Sequence, residues 1–307
     1  MALQNSKSIL EKAGQRSKLM ISADDIKKVI KLEISRRIRN DEIDVPMLPH
    51  VASKVMALAS NPNVSIKELT ALIEHDQHIS AKILNIANSP VYKGLHDITN
   101  LNRAILTIGL RSVTDLIFSL SVGSKVFRNK EFQGRMNKLW QHSVGTAYVS
   151  QEIAKMRKKE TENASLYGLM HDIGKTLVID TITKLVKRAP EKLSLVFINE
   201  YLLDEILDSY HCQVGGLVAR KWRFPMNLTS AIVFHHDPLN VDKPRPEALH
   251  TSVANLFAHK LGLGVEASGM DLAAHPHVKN FGLTAEEVSQ LEKKLAGPAI
   301  IFINQFI

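Results

Sequence analysis

Ser65-Ile66-Lys67-Glu68-Leu69-Thr70-Ala71-Leu72-Ile73-Glu74-His75-Asp76 is the stretch whose pattern decides the fold. Ser65 followed by Glu68 is a capping box: the hydroxyl accepts a backbone N–H at a helix start, and the glutamate reaches back to the cap. Leu69, Leu72 and Ile73 then recur at helical spacing. After Asp76 the pattern resumes with Ile79, Ile83, Leu84 and Ala87, and Pro90 closes it. Working outward toward the N-terminus, Ile26, Val29, Ile30, Ile34 and Ile38 predict a helix from about Ala23 to Asn40. Val51, Val55, Met56, Leu58 and Ala59 make another, ended by Asn61-Pro62. Toward the C-terminus, Ala104, Ile105 and Ile108 precede Gly109, a left-handed stop, and Val113, Leu116, Ile117 and Leu120 mark a long helix. Further stripes cover Leu139–Met156, Ala164–Ile173, Asp204–Trp222 and Ala231–His235, and Thr284–Glu287 is a second capping box before Val288, Leu291 and Leu295. Alternating polar–apolar runs between turn dipeptides are missing. The expected fold class is all-α, a multi-helix bundle.

The chain of 307 residues is long enough for one large domain or two smaller ones. Asp44-Val45-Pro46-Met47-Leu48-Pro49 cannot be regular helix, because each proline pushes its predecessor toward an extended conformation. This predicts a leader with one amphipathic helix over 1–44, a helical body over 45–260 in two halves (45–128 and 129–260), and a C-terminal helical extension over 261–307. No apolar run reaches the roughly 18 residues that span a bilayer, and Met1–Lys7 lacks the pattern of a secretory signal. A single cysteine, Cys212, excludes an internal disulfide and fits a reducing compartment, so the expected location is cytoplasmic. Most of the net charge of +8 sits in the leader, where Lys7, Lys12, Arg16, Lys18, Lys27, Lys28, Lys31, Arg36, Arg37 and Arg39 are opposed only by Glu11, Asp24, Asp25 and Glu33. Basic arms can contact nucleic acid or anionic membranes. Here no aromatic residue is interleaved and no base-reading motif follows, so the reading is a peripheral helix whose stripe Ile26, Val29, Ile30 and Ile34 could dock on the body or a partner while its Lys and Arg face stays wet.

Among the thirteen histidines a subset is ordered around one motif. His142 lies in Leu139-Trp140-Gln141-His142-Ser143, on an amphipathic stripe. Gly168-Leu169-Met170-His171-Asp172-Ile173-Gly174-Lys175 places a His-Asp pair near a helix end, with Gly174 permitting the stop and a close backbone approach. His211 is expected to begin a helix over Gln213–Trp222, and His235-His236-Asp237 precedes Pro238, where a helix must end. Imidazole and carboxylate are the usual nitrogen and oxygen ligands of iron, zinc and manganese. Lys175, three residues after Asp172, falls on the aspartate's side and could meet an anionic oxygen.

These motifs carry a resemblance. His142 with Leu169-Met170-His171-Asp172-Ile173-Gly174-Lys175 resembles the signature of the HD metal-dependent phosphohydrolase superfamily. His211 and His235-His236 look like the additional histidines of its HD-GYP branch. Leu48-Pro49, Leu69–Asp76, Lys82-Ile83-Leu84-Asn85-Ile86-Ala87-Asn88-Ser89 and Ala104–Gly109 look like the HDOD, or HD-related output domain, family, over residues 46–260. The resemblance implies an HD-domain-like bundle with an N-terminal HDOD half. It implies a divalent transition metal, one or two ions of iron, manganese, zinc or nickel, held by His142, His171, Asp172, His211, His235 and His236. Asn255 stands where HD enzymes place a late aspartate and would be a weak ligand. No Gly-Tyr-Pro segment follows His236, so cyclic-di-GMP hydrolysis is not implied.

Three functions remain open on the sequence. The leading one is a bacterial regulatory HDOD module with a protein partner in signalling, metal-binding and weakly or non-catalytic. The alternative is a metal-dependent phosphohydrolase acting on a nucleotide or phosphoester, with Asp172 and Lys175 catalytic and a phosphorylated small molecule as ligand. Nucleic-acid binding by the helix pair in Ser65–Ser89 is the least supported, since Lys82 is the main basic group on its second helix.

Overall fold

Ser65 caps its helix as the sequence predicts: its Oγ accepts from the Glu68 N–H at 3.2 Å, and its own N–H donates to Glu68 Oε2 at 2.8 Å. The computed structural model describes residues 23–59, 65–90, 92, 94, 96–158, 163–188, 200–239 and 245–306. The leader's first 22 residues and the Asn61-Pro62 stop lie outside the described residues. The helices are α1 (Ala23–Arg39), α2 (His50–Ala59), α3 (Ile66–Glu74), α4 (Gln77–Ala87), α5 (Leu101–Ile108) and α6 (Leu110–Val126), followed by α7 (Gln133–Arg157), α8 (Ala164–Met170) and α9 (Ile173–Arg188). The chain continues through α10 (Glu200–Lys221), α11 (Met226–Phe234), α12 (Pro246–Lys260), α13 (Pro276–Phe281) and α14 (Ala285–Asn304). Among the described residues there is no strand, and the fold is all-α.

In the first half, Asp76 caps α4 by accepting from the N–H groups of His78 and Ile79. Gly109, at φ 92°, ends α5 and starts α6, and the two helices are bent by 108°. No single helix among the described residues is long and apolar enough to cross a membrane. α6 packs on α2 and reaches α8, joining the first half to the second. There α7 packs against α8, α12 and α14, α9 against α10, and α11 against both α10 and α12.

The leader helix docks its stripe on the body, but its basic face does not stay fully wet. Ile26, Ile30 and Ile34 are fully buried, because their stripe docks on α9 and α10. Lys31 donates to Glu205 at 2.7 Å, Lys27 also pairs with Glu205, and the Tyr210 hydroxyl donates to the Lys31 carbonyl at 3.0 Å. Past the helix, Trp222 Nε1 donates to the Pro46 carbonyl at 2.8 Å. An apolar stripe on a basic helix still has to leave water, and here the charged residues flanking it find acidic partners. The C-terminal extension is likewise packed: Leu291, Leu295, Ala299 and Ile303 of α14 are buried.

Candidate metal centre

Two close helix contacts set the geometry. Gly168 in α8 has no room for a Cβ, which would lie 2.4 Å from the Thr146 carbonyl oxygen of α7. A Cβ on Gly174 in α9 would lie 1.9 Å from the His211 carbonyl oxygen of α10. These glycines flank His171-Asp172, so the motif is drawn against α7 on one side and α10 on the other. Two expectations are corrected here. α8 ends at Met170 and α9 begins at Ile173, so Gly174 lies in the first turn of a new helix and its absent side chain serves the contact with α10, not a helix stop. His211 lies in the middle of α10, not ahead of a helix, since the apolar stripe begins upstream with the buried Leu202, Leu203 and Ile206.

Asp172 is the centre of the cluster and is 2% exposed. Its Oδ1 is 3.4 Å from His211 Nε2 and 3.7 Å from His235 Nε2. Its Oδ2 is 3.4 Å from His171 Nε2 and 3.9 Å from His142 Nε2. Lys175 Nζ donates to the same Oδ2 at 2.6 Å. His236 Nε2 lies 3.1 Å from His211 Nε2. The structure thus brings together His142, His171, Asp172, His211, His235 and His236, and ties Lys175 to the aspartate.

Each buried ring is held the same way. The Nδ1 atoms of His142, His171, His211 and His235 face the carbonyls of Leu263, Gly168, Leu207 and Ile232 at 3.0, 2.7, 2.8 and 3.0 Å. A carbonyl only accepts, so every Nδ1 carries the proton and, in a neutral ring, every Nε2 presents a lone pair inward. Burial keeps the rings of His142, His211 and His235 neutral, pushing His142 down to about 3, His211 to about 4 and His235 well below the usual imidazole range. Burial also opposes charge on Asp172, but His171 and Lys175 outweigh it and hold the carboxyl well below its ordinary value.

The result is a cage of acceptors with too few donors. His171 Nε2 and Asp172 Oδ1 are buried with no hydrogen-bond partner. Asn255 Oδ1 lies 2.9 Å from His142 Nε2. Those two acceptors are compatible only if the amide turns its NH2 toward the ring or a cation sits beside both. Unsatisfied buried acceptors cost about 1–3 kcal/mol each, and a divalent ion with nitrogen and oxygen ligands would satisfy them together. The carbonyl-anchored Nδ1–H groups are the arrangement that orients metal-binding imidazoles. The residues present therefore fit the metal that their chemistry implies.

Two residues not foreseen as site members also lie here. Cys212 Sγ is 3.4 Å from His211 Nε2. The His259 ring lies 4.9 Å from that of His142. His259 follows Asn255 by four residues, a helical spacing that could have revealed it. Adjacency to His211 was the only sign of Cys212.

A model of the HDOD domain family matches residues 45–238. An uncharacterised protein of Treponema pallidum (strain Nichols) is 24% identical over 217 residues, covering 69% of this chain. The chain spans only 42% of that relative's length. The crystal structure of an HDOD domain protein of unknown function from Geobacter sulfurreducens superposes with a TM-score of 0.69 at 22% identity, covering 90% of this chain and 98% of that one. A Shewanella amazonensis protein described as a candidate metal-dependent phosphohydrolase superposes with a TM-score of 0.69 at 19% identity, over 92% and 99% of the two chains. At these identities the two structures show the shared fold alone.

Proposed function

The chain belongs to the HDOD domain family, and on that premise we propose that it is a bacterial signalling module that holds a divalent transition metal and turns over little or no substrate. The observation that carries this reading is the pair of orphaned acceptors, His171 Nε2 and Asp172 Oδ1, inside a ring of inward imidazole lone pairs. His142, His171, Asp172, His211, His235 and His236 would hold the ion. Asp172 would bridge if two were bound, since its two oxygens face opposite groups of histidines. The ion, one or two of iron, manganese, zinc or nickel, would fasten α7, α9, α10 and α11 around one point. A regulatory role agrees with two features. Asn255 is a neutral amide, a weaker ligand than a carboxylate, and it cannot take a proton from water. Lys175 is already paired with Asp172. We place the module over residues 45–260, in the cytoplasm, with a protein partner in a signalling pathway.

The second reading, a metal-dependent phosphohydrolase acting on a nucleotide or phosphoester, is favoured by the exposure of His236 at the cluster. A bound ion would there lower the pKa of a water and polarise a phosphoryl oxygen. Lys175 would leave Asp172 to neutralise charge on a phosphorylated small molecule.

Elemental analysis of the purified protein tests the shared premise. We expect stoichiometric transition metal in the unmodified chain, lost for the most part in Asp172→Ala, whose two oxygens face both groups of histidines, and retained in Lys175→Ala. A chain that stays empty after metal-replete purification ends both readings. Asn255→Asp separates them: phosphodiester hydrolysis that appears only with the aspartate marks a retired enzyme, whereas robust hydrolysis by the unmodified protein makes it an active one.

A further inference from the structure

Resting on the metal reading above, we propose that Cys212 is itself a ligand, completing a half-site of three imidazoles and one thiolate with His211, His235 and His236, and that this half takes the first ion. Each of these four residues offers one ligand atom, and the four atoms lie within 4.8 Å of one another. Around His211 Nε2 the separations are 3.1 Å to His236 Nε2, 3.4 Å to His235 Nε2 and 3.4 Å to Cys212 Sγ. A tetrahedral ion bound at about 2.0–2.3 Å sets its nitrogen and sulfur ligands roughly 3.3–3.6 Å apart. The cluster therefore stands near the spacing that an ion requires.

A second, independent feature points into the same place. Asp172 Oδ1 is buried without a hydrogen-bond partner and lies 3.4 Å from His211 Nε2 and 3.7 Å from His235 Nε2. On the opposite oxygen the Lys175 ammonium stands at 2.6 Å. A cation approaching His142 and His171 meets that fixed positive charge at close range, and one approaching His211 and His235 meets an unpaired carboxylate oxygen. The two halves of the cluster are therefore unequal, and the thiol-bearing half is the better electrostatic sink. Its soft sulfur directs it toward zinc, iron or cobalt and away from magnesium or calcium.

The chain contains one cysteine, so any thiolate-to-metal charge-transfer band in this protein belongs to Cys212. Apoprotein titrated with cobalt(II) should develop that near-ultraviolet band with the first equivalent, reaching its plateau at one ion per chain. Cys212→Ser should bind cobalt without the band. In the unmodified protein, bound cobalt should also protect the thiol from a disulfide reagent. Cobalt that binds without a charge-transfer band overturns the thiolate assignment while leaving the metal reading intact. A band that grows only with the second equivalent overturns the order of filling. No cobalt uptake overturns the metal reading and this inference together.

Discussion

Gly174→Ala reverses what the same change does in most helices. Away from tertiary contacts, replacing a helical glycine by alanine stabilises by about 0.4–1 kcal/mol, because the unfolded chain loses freedom. At Gly174 the added Cβ would sit 1.9 Å from the His211 carbonyl oxygen and 2.7 Å from the Gly215 nitrogen. The first of these is roughly 1.5 Å inside the 3.4 Å at which ordinary contact begins. Both neighbours are backbone atoms of α10, so no side chain can rotate aside and the helices themselves must part. Overpacking costs about 1–3 kcal/mol where neighbours can adjust, and here we expect a loss at or above the upper end. The same displacement would carry Asp172, two residues away, from His211 and His235, whereas metal sites tolerate errors of only about 0.2 Å. Guanidinium unfolding of the metal-free protein measures the first effect and cobalt uptake the second. Gly134→Ala in α7 is the control, because nothing lies within 4 Å of its Cβ. An unchanged midpoint with full cobalt uptake in Gly174→Ala would refute the claim that this contact builds the site.

Two further predictions concern stability. Ile30→Ala should destabilise by about 2–5 kcal/mol, the usual range for emptying a buried isoleucine site, since Ile30 is fully buried. Lys28→Ala, on the exposed side of the same helix, should change the thermal midpoint little, and equal effects would refute the docking of the leader's stripe. His250, away from the metal cluster, bonds Ser150 through Nε2 and is pushed down to about 4 by burial, from an ordinary 6.5. The unfolded chain gains this proton near 6.5 and the folded chain only near 4. Its contribution is therefore whole above the higher value and is lost as pH falls toward the lower one, by roughly 3 kcal/mol. His250→Gln should flatten the acid limb of the apoprotein's stability curve, and an unchanged slope would show that His250 is not the group responsible.

What the sequence determined by itself was local or ordered along the chain. The capping boxes at Ser65 and Thr284, the stop at Gly109 and the apolar stripes depend on neighbours within a turn or two, where chain geometry is nearly fixed. His142, His171, Asp172, His211, His235 and His236 were legible as a set through the resemblance of their local motifs to those of the HD superfamily, although no spacing rule places α7, α9, α10 and α11 around one point. Tertiary structure decided the rest. Neighbouring helical residues point about 100° apart, so the sequence alone puts His211 and Cys212 on different faces. Only α9 and α11, arriving from either side, turn the seam between those faces into one site. Gly174 reads locally as a helix stop, because nothing nearby announces that α10 will press its backbone there. The stripe on α1 was plain, but an amphipathic helix specifies that it must cover something, not what. Its docking surface on α9 and α10 exists only once those helices have packed.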